Sequence, residues 1–272
     1  MNANPLPTTP PKAAAPLCIG TAGWSLPRAS QDRFGAASPS DSHLMRYARH
    51  LPAAEINSSF YRPHQRSTYE RWAAATPPSF RFCVKLPRSI THEARLTGTR
   101  ALQQAFAEQV QGLGHRLGCL LVQLPPSLAL DAAVAEAFFD DVRRLHPTTP
   151  LAVEPRHASW FTPEADALLA RWHAGRVLAD PVLHPPGRAP GGWPGVVYCR
   201  LHGSPRIYYS AYDATLIRAL AARLQAAATE ARHVWCIFDN TASGAAAGNA
   251  LDLHHAMQML STGDTVNKRN NR

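Results

Sequence analysis

A closed (β/α)8 barrel of the TIM type is the fold this sequence predicts, and three observations predict it. Eight short apolar runs rich in β-branched residues recur along the chain, at 17–21, 52–57, 80–85, 118–124, 150–155, 176–180, 196–202 and 233–239. Helix-periodic segments separate most of them, an alternation that specifies a parallel sheet with strands buried on both faces. Eight strand–helix units in roughly 240 residues suit a closed barrel better than an open doubly wound sheet, which has five or six strands.

Each element carries its own signal. Residues 1–16 form a Pro/Ala-rich leader, expected to be disordered because it cannot bury apolar surface. The polar tail 261–272, STGDTVNKRNNR, carries the same expectation, leaving 17–260 as a single barrel domain. Segments 40–50 and 66–75 place apolar residues three and four apart, and 100–116 does so with Leu102, Phe106, Val110 and Leu113. Thr162 followed by Pro163 opens another helix as a cap and a first-turn proline. Segments 131–145 and 212–230 complete the helices. One unit departs from the pattern. Residues 181–195, PVLHPPGRAPGGWPG, hold too many prolines and glycines for a helix, so the sixth strand reaches the seventh through an irregular connection. Such a segment serves equally as an active-site flap or as a plain connection that has lost its helix.

Composition bounds the function classes. With 272 residues and 45% hydrophobic content, the chain can bury a sizeable core. Its formal charge of +9 and pI near 9.8 favour anionic partners: phosphates, acidic metabolites or nucleic acid. The positive charge is diffuse, without a block of five or six like charges, so nucleic acid has only weak support. Cys18, Cys83, Cys119, Cys199 and Cys236 lie far apart in strand signals, with no CxxC, which reads as reduced core thiols in a reducing compartment. The N-terminus lacks a signal-peptide pattern, and no run reaches the ~18 apolar residues of a membrane span. The expectation is a soluble, cytoplasmic protein with no membrane partner.

Polar residues punctuate the strand ends, where barrels place their sites. Because side chains alternate along a strand, parity groups Ala53, Glu55 and Asn57; Cys83 and Lys85; Leu121 and Gln123; and Ala152, Glu154 and Arg156. It likewise groups Leu178 with Asp180, Tyr198 with Arg200 and His202, and Trp235 with Ile237 and Asp239. Charges facing a barrel interior must pair with one another, with water or with a ligand. Two accounts follow: an ion-pair layer that fills the barrel mouth, or an acid–base site for an anion. In the second, Glu154, His202, Asp180 and Lys85 are the candidate catalytic residues. Glu154, Asp180, His202 and Asp239 also resemble a divalent-metal ligand set, but no HxH or HExxH occurs and the interleaved cations would repel a metal. No cofactor and no metal ligand is therefore predicted, with a divalent metal as the alternative. Trp160, Tyr61, Tyr208, Tyr209 and Tyr212 fall in loops after strands, where aromatic faces could stack on a base or sugar.

Eight motifs resemble one known family. IGTAGWS at 19–25, EINSSFYR at 55–62, FRFCVKLPRSITH at 80–92 and LGCLLVQLPPS at 117–127 are similar to the domain of unknown function 72 family, also called YecE-like. EPRHASWF at 154–161, LAD at 178–180, YCRLHG at 198–203 and FDNTASGAAAGNAL at 238–251 continue the match in order. The resemblance implies a TIM-barrel-like fold and supplies no reaction. It carries over Gly23, Trp24, Glu55, Asn57, Tyr61, Lys85, His92, Gln123, Glu154, Arg156, Trp160, Asp180, Arg200, His202, Asn240 and Asn249 as motif positions. Two departures stand out: Pro155 within the 154–157 motif, and Asp239 where relatives often carry asparagine. The combined expectation is an enzyme acting on a small phosphate-bearing substrate at the carboxyl end of the barrel. Substrate-binding candidates are Trp24, Glu55, Asn57, Tyr61, His92, Gln123, Arg156, Trp160, Arg200, Asp239 and Asn240. The alternatives are a metal-dependent phosphoesterase or nuclease, and a non-catalytic nucleic-acid-binding module. The sequence does not specify an oligomeric state.

Overall fold

The computed structural model describes residues 15–36 and 38–269. Its barrel strands are β1 (Leu17–Thr21), β2 (Ala53–Ile56), β3 (Arg81–Lys85), β4 (Leu117–Gln123) and β5 (Leu151–Glu154), then β6 (Ala174–Arg176) and β7 (Leu178–Asp180). After a two-residue β8 (Gly191–Gly192) come β9 (Val196–Leu201) and β10 (His233–Phe238). Parallel pairing runs β2–β3–β4–β5–β6 on one side and β1–β10–β9–β7 on the other.

Two seams join these arcs into a cylinder. At the first, Ala22 bridges Glu55, and the Gly23 amide donates to the Glu55 carbonyl at 2.8 Å. Gly20 permits that approach, since a Cβ there would lie 1.9 Å from the Ala53 carbonyl oxygen. At the second, the sixth barrel strand is split: β6 pairs with β5, the Val177 amide donates to Val153, and β7 pairs with β9.

Alternation along the strands sorts side chains into two cores. Cys18, Ala53, Cys83, Cys119, Leu121, Ala152, Tyr198, Trp235 and Ile237 fill the barrel interior with Val177. Intervening residues such as Phe82, Val84, Leu120, Val122, Val153 and Phe238 face the helices. All five cysteines are free and buried. Alternation runs unbroken across the split: Leu178 and Asp180 pair in register with Cys199 and Leu201, which face the helices. Val177 points inward and Leu178 outward, which reverses the face expected for Leu178 and Asp180.

The helical layer follows the signals in the sequence except at its first and last members. It comprises α1 (Arg28–Gln31), α2 (His43–Ala48), α3 (Arg66–Ala74), α4 (Arg100–Val110), α5 (Ala132–Leu145), α6 (Pro163–Arg171), α7 (Ala214–Glu230) and α8 (Ala245–Arg269). Asp131 caps α5 by accepting from the Ala133 and Val134 amides at 3.0 and 3.1 Å. That helix buries Ala135, Phe138, Phe139 and Val142, an i, i+3, i+4, i+7 face. Each fully buried phenylalanine contributes ~1.5–3 kcal/mol.

Two segments depart from the sequence reading. Helix α8 was not anticipated, because its buried face is built mainly from Ala246, Ala247, Ala250 and Leu253, which give a weak periodic signal. It also continues to Arg269, through 261–269 where an unstructured tail is expected. Extending a packed helix needs no new nucleus, so polar residues can follow it. Residues 270–272 and leader residues 1–14 lie outside the described residues, and the Ala15 amide donates to the Ala228 carbonyl at 2.9 Å.

The irregular 181–195 segment takes the place of the missing helix along β6. His184 Nε2 donates to the Arg156 carbonyl at 3.1 Å, and Gly191–Gly192 pairs antiparallel with β6. Asp166 on α6 receives both Arg176 Nε at 2.8 Å and the Gly192 amide at 2.9 Å, pinning the segment's far end. Among the described residues no helix is long and apolar enough to cross a membrane.

Candidate functional site

The inward-facing positions directly above the apolar interior carry the polar residues. Strand β2 presents Glu55 above Ala53, β9 presents Arg200 above Tyr198, and β5 presents Glu154 above Ala152. Arg200 is fully buried at their centre. Its Nη2 and Nε donate to the two Glu55 oxygens at 2.7 and 3.0 Å, a planar bidentate pair. Nη1 reaches Glu154 Oε2 at 3.3 Å and Nη2 also reaches Asp239 Oδ2 at 3.1 Å. Tyr198 completes the Glu55 shell by donating its hydroxyl at 2.9 Å.

His202 closes the ring. Its Nε2 faces Glu154 Oε1 at 2.9 Å and its Nδ1 faces Asp239 Oδ2 at 3.0 Å. Burial lowers the His202 pKa, but the Glu154 charge and the hydrogen bonds to Asp239 and Glu154 outweigh that effect and raise it. The imidazolium form satisfies both carboxylates at once. Arg156 Nη2 shares the Glu154 Oε1 acceptor at 2.7 Å, so its 3.3 Å approach to His202 Nε2 is a contact between two donors on one oxygen. Burial pushes the Glu154 carboxyl up, yet Arg200, His202 and Arg156 together hold it well below the usual range. Asp239 is likewise lowered, with burial opposed by the Arg200 charge and the His202 hydrogen bond. Glu154 is therefore a weak proton acceptor, and Arg200 directs four of its five N–H donors at carboxylate oxygens.

Lys85 is different. Its Nζ donates to Asn57 Oδ1 at 3.1 Å and lies 4.0 Å from the Phe60 ring centroid. Among the described residues it has no carboxylate within salt-bridge distance, although it is only 4% exposed. Burial, followed by the Arg200 charge, lowers its pKa from 10.5 to about 8 despite Glu55, Glu154 and Asp239. The three-residue turn Ser58–Phe60 after β2 holds Phe60 in place, since Ser59 Oγ donates to the Ile56 and Lys85 carbonyls at 2.9 and 2.6 Å. His92 packs edge-on against the other partner of this corner, Phe60, at 4.9 Å. Burial and then the Lys85, Arg88 and Arg156 charges lower its pKa. Among the described residues, Arg156 Nε is buried without a partner.

Asn57 also lines a recess of about 440 Å³ beside this corner, together with Gly23, Trp24, Ser25, His43, Ser58 and Tyr61. Gly23 adopts φ +78°, the turn that presents Trp24. Trp24 is fixed edge-on against Trp72 at 5.0 Å and Phe82 at 6.1 Å.

The structure thus brings Glu55, Glu154, Arg156, Arg200, His202 and Asp239 into one network, with Lys85, Asn57 and His92 forming a second corner and Trp24 and Tyr61 lining the recess. Gln123 pairs in register with Glu154 at the end of β4. Three candidates fall elsewhere. Asp180 shares the outward face of Leu178 and accepts from the Tyr212 hydroxyl at 2.6 Å. Trp160 is a core residue, 1% exposed, with its indole donating to the Leu128 carbonyl at 3.0 Å. Asn240 clamps the loop after β9: its Nδ2 donates to the Ser210 carbonyl at 2.9 Å and to Asn249 Oδ1 at 3.0 Å. Phe60 and Tyr198 were not among the candidates. Phe60 lies within EINSSFYR, and Tyr198 shares the inward parity of Arg200, so both signals were present. For the divalent-metal alternative, no group of three or more His, Cys, Asp or Glu side chains among the described residues has metal-holding geometry. Arg200 and His202 already occupy the spaces between the carboxylates.

Against known proteins, the family model described as "Protein of unknown function DUF72" matches residues 18–271. The chain belongs to the DUF72 family. Among curated proteins, this DUF72 chain is 32% identical over 145 residues to the UPF0759 protein YecE of Escherichia coli, covering 53% of the chain and 50% of that protein. It is 26% identical over 153 residues to the UPF0759 protein YunF of Bacillus subtilis, covering 54% and 53% respectively. The matches thus span about half the length of these curated relatives. A crystal structure of a DUF72 family protein from Enterococcus faecalis superposes with TM-score 0.72 at 23% identity, over 89% of this chain and 95% of that one. Another from Thermotoga maritima gives 0.70 at 23% identity, over 89% and 99%. These likenesses establish the shared fold.

Proposed function

We propose that this DUF72 protein is an enzyme that moves a proton on an anionic, phosphate-bearing substrate held at the carboxyl end of its barrel. The observation that carries the reading is Lys85, a buried amine at a strand end with one amide acceptor, one aromatic face and a pKa lowered to about 8. A lysine tuned toward ~7–8 is suited to general acid–base work. At pH 7 the ammonium form dominates and can attract an anion and donate a proton to it; near pH 8 the neutral form becomes equally populated. Arg156, whose buried Nε has no partner among the described residues, supplies a second cationic edge. The proton-moving role falls to Lys85 rather than to Glu154 or His202, because each of those is committed to opposite charges on several sides.

Calorimetric titration with inorganic phosphate across pH tests the anion part. Affinity should fall as pH rises through about 8, where Lys85 loses its charge, and should drop at least about tenfold in Lys85→Met at pH 7. Binding that is unchanged in that variant contradicts the reading. For the chemistry, NMR monitoring of a phosphorylated-metabolite panel should reveal turnover that Lys85→Met abolishes. Turnover that survives the substitution would remove Lys85 from the mechanism.

A further inference from the structure

A serine and a histidine meet just past the end of β2, outside both groups of charges described above. Ser58 opens the turn that follows the strand, and its backbone is pinned there because its carbonyl accepts from the Tyr61 and Arg62 amides at 3.2 and 3.3 Å. The chain then returns on itself, leaving His64 Nε2 2.8 Å from the Ser58 Oγ. Ser58 is exposed and lines the open recess of about 440 Å³, whereas His64 is half-buried and off the recess wall. Two rings hold the imidazole edge-on, Trp72 at 5.1 Å and Tyr69 at 5.8 Å, and Trp72 is the same ring that fixes Trp24 on the recess wall. One aromatic cluster thus orients both the histidine and a wall of the recess.

From this pairing of an exposed serine with an oriented histidine at a recess, we infer that Ser58 is a nucleophile and His64 its general base, in a second site that acts on small uncharged carboxylic esters. The site is separate from the Lys85 corner and goes beyond the function proposed above. Hydroxyl and imidazole already stand within the ~2.6–3.2 Å that a nucleophile and its base require. Burial, followed by the Arg62 charge, lowers the His64 pKa, so the ring is neutral at pH 7 and, with its proton on Nδ1, can accept at Nε2. No carboxylate bonds to His64 among the described residues; Trp72 and Tyr69 take the orienting role that the third member of a triad would have. Asn57 stands on the same wall with its Oδ1 taken by Lys85, which leaves Nδ2 to stabilise an oxyanion. The wall carries no lysine, arginine or carboxylate, a lining suited to an acyl group rather than a phosphoryl group. In the reaction Ser58 Oγ bonds to the acyl carbon while its proton passes to His64 Nε2; the carbon–oxygen bond to the alcohol then breaks, and the alcohol leaves with that proton. Water attacks the acyl-serine by the same route, releasing the carboxylic acid and restoring Ser58.

Labelling of the full chain with a fluorophosphonate, and hydrolysis of p-nitrophenyl acetate followed by absorbance, test the inference. Peptide mass mapping should place the label on Ser58, and Ser58→Ala should lose it. A positioned base contributes ~10²–10⁴-fold, so His64→Phe, which keeps a ring against Trp72 and Tyr69 but removes Nε2, should slow both labelling and nitrophenolate release at least about tenfold. Ser58→Ala should slow release by at least about the same factor. Because Ser58 is exposed, its variant should fold like the parent, which a thermal melt checks and which keeps the test decisive if His64→Phe is less stable. An unlabelled parent, a label that forms as fast in His64→Phe, or ester hydrolysis that survives Ser58→Ala would overturn the inference.

Discussion

The two corners of the barrel mouth use similar residue types to opposite ends. Around Arg200, three carboxylates meet a guanidinium, an imidazole and a second arginine, and the central guanidinium lies in ion-pair contact with all three carboxylates. Around Lys85, a cation of the same sign has a carboxamide and a ring but no carboxylate at contact distance among the described residues. In the proposed reading the first corner is structural, its cations committed to carboxylates of the protein. In the same reading the second corner keeps its cation for a ligand, at a cost in stability. Strand-end placement alone does not distinguish the two, because both occupy it; the number of opposite charges around each cation does.

Substitutions can break this contrast, starting with the largest effect. Glu55→Ala strips Arg200 of its bidentate partner and leaves a buried, undercompensated guanidinium, so it should cost about 3–5 kcal/mol in chemical denaturation. A loss below about 1 kcal/mol would mean that the Arg200 corner is not structural. Lys85→Met should act in the opposite direction. The folded-state pKa is lowered from 10.5 to about 8, so the unfolded chain binds more protons between those values and stability rises with pH there. Below pH 8 the full penalty applies, and removing the charge should stabilise the fold by on the order of 2–3 kcal/mol at pH 7. That gain should fade as the pH approaches 10.5. Destabilisation across this whole range would place Lys85 in the structural corner.

His202 provides a pH-dependent test of intermediate size. Its folded pKa is raised, so its contribution is fully present below the unfolded value near 6.5 and is lost as pH rises through the folded value. His202→Asn should cost about 1–2 kcal/mol at pH 6 and less at pH 9, measured by urea denaturation at both. A pH-independent cost would show that the ring is held as a neutral imidazole. The smallest effect belongs to Tyr212→Phe. It removes the hydroxyl that donates to Asp180 at 2.6 Å and accepts from the Gly203 amide at 2.7 Å, at a cost of about 1 kcal/mol. Phosphate affinity should be unchanged, since Asp180 lies outside both corners; a weakened affinity would bring Asp180 back into the site.

Much of this arrangement was legible in the sequence because it depends on period-two alternation in buried strands. The eight strand runs, the inward set of Glu55, Lys85, Glu154, Arg200 and Asp239, and the family motifs could all be read from residue order. Asp180 was misplaced because a polar residue at a strand end does not say which face it takes: Val177 is the inward residue of the sixth barrel strand, so Leu178 and Asp180 alternate outward. Trp160 follows a strand just as Tyr61 does, yet one is a core anchor and the other is exposed, a difference set by packing against Leu128 and its neighbours. Helix α8 escaped because alanine serves buried and exposed faces alike. The roles within the polar set were not legible at all. Which cation is saturated depends on distances across the barrel between β2, β5, β9 and β10, and those distances have no local signature.

The central claim concerns the protonation of one amine. An NMR titration of the lysine side chains, with Lys85 assigned by its loss in Lys85→Met, measures it directly. The account predicts a midpoint near 8 that moves upward when phosphate is bound. A midpoint at its ordinary value of 10.5, unmoved by phosphate, would contradict it.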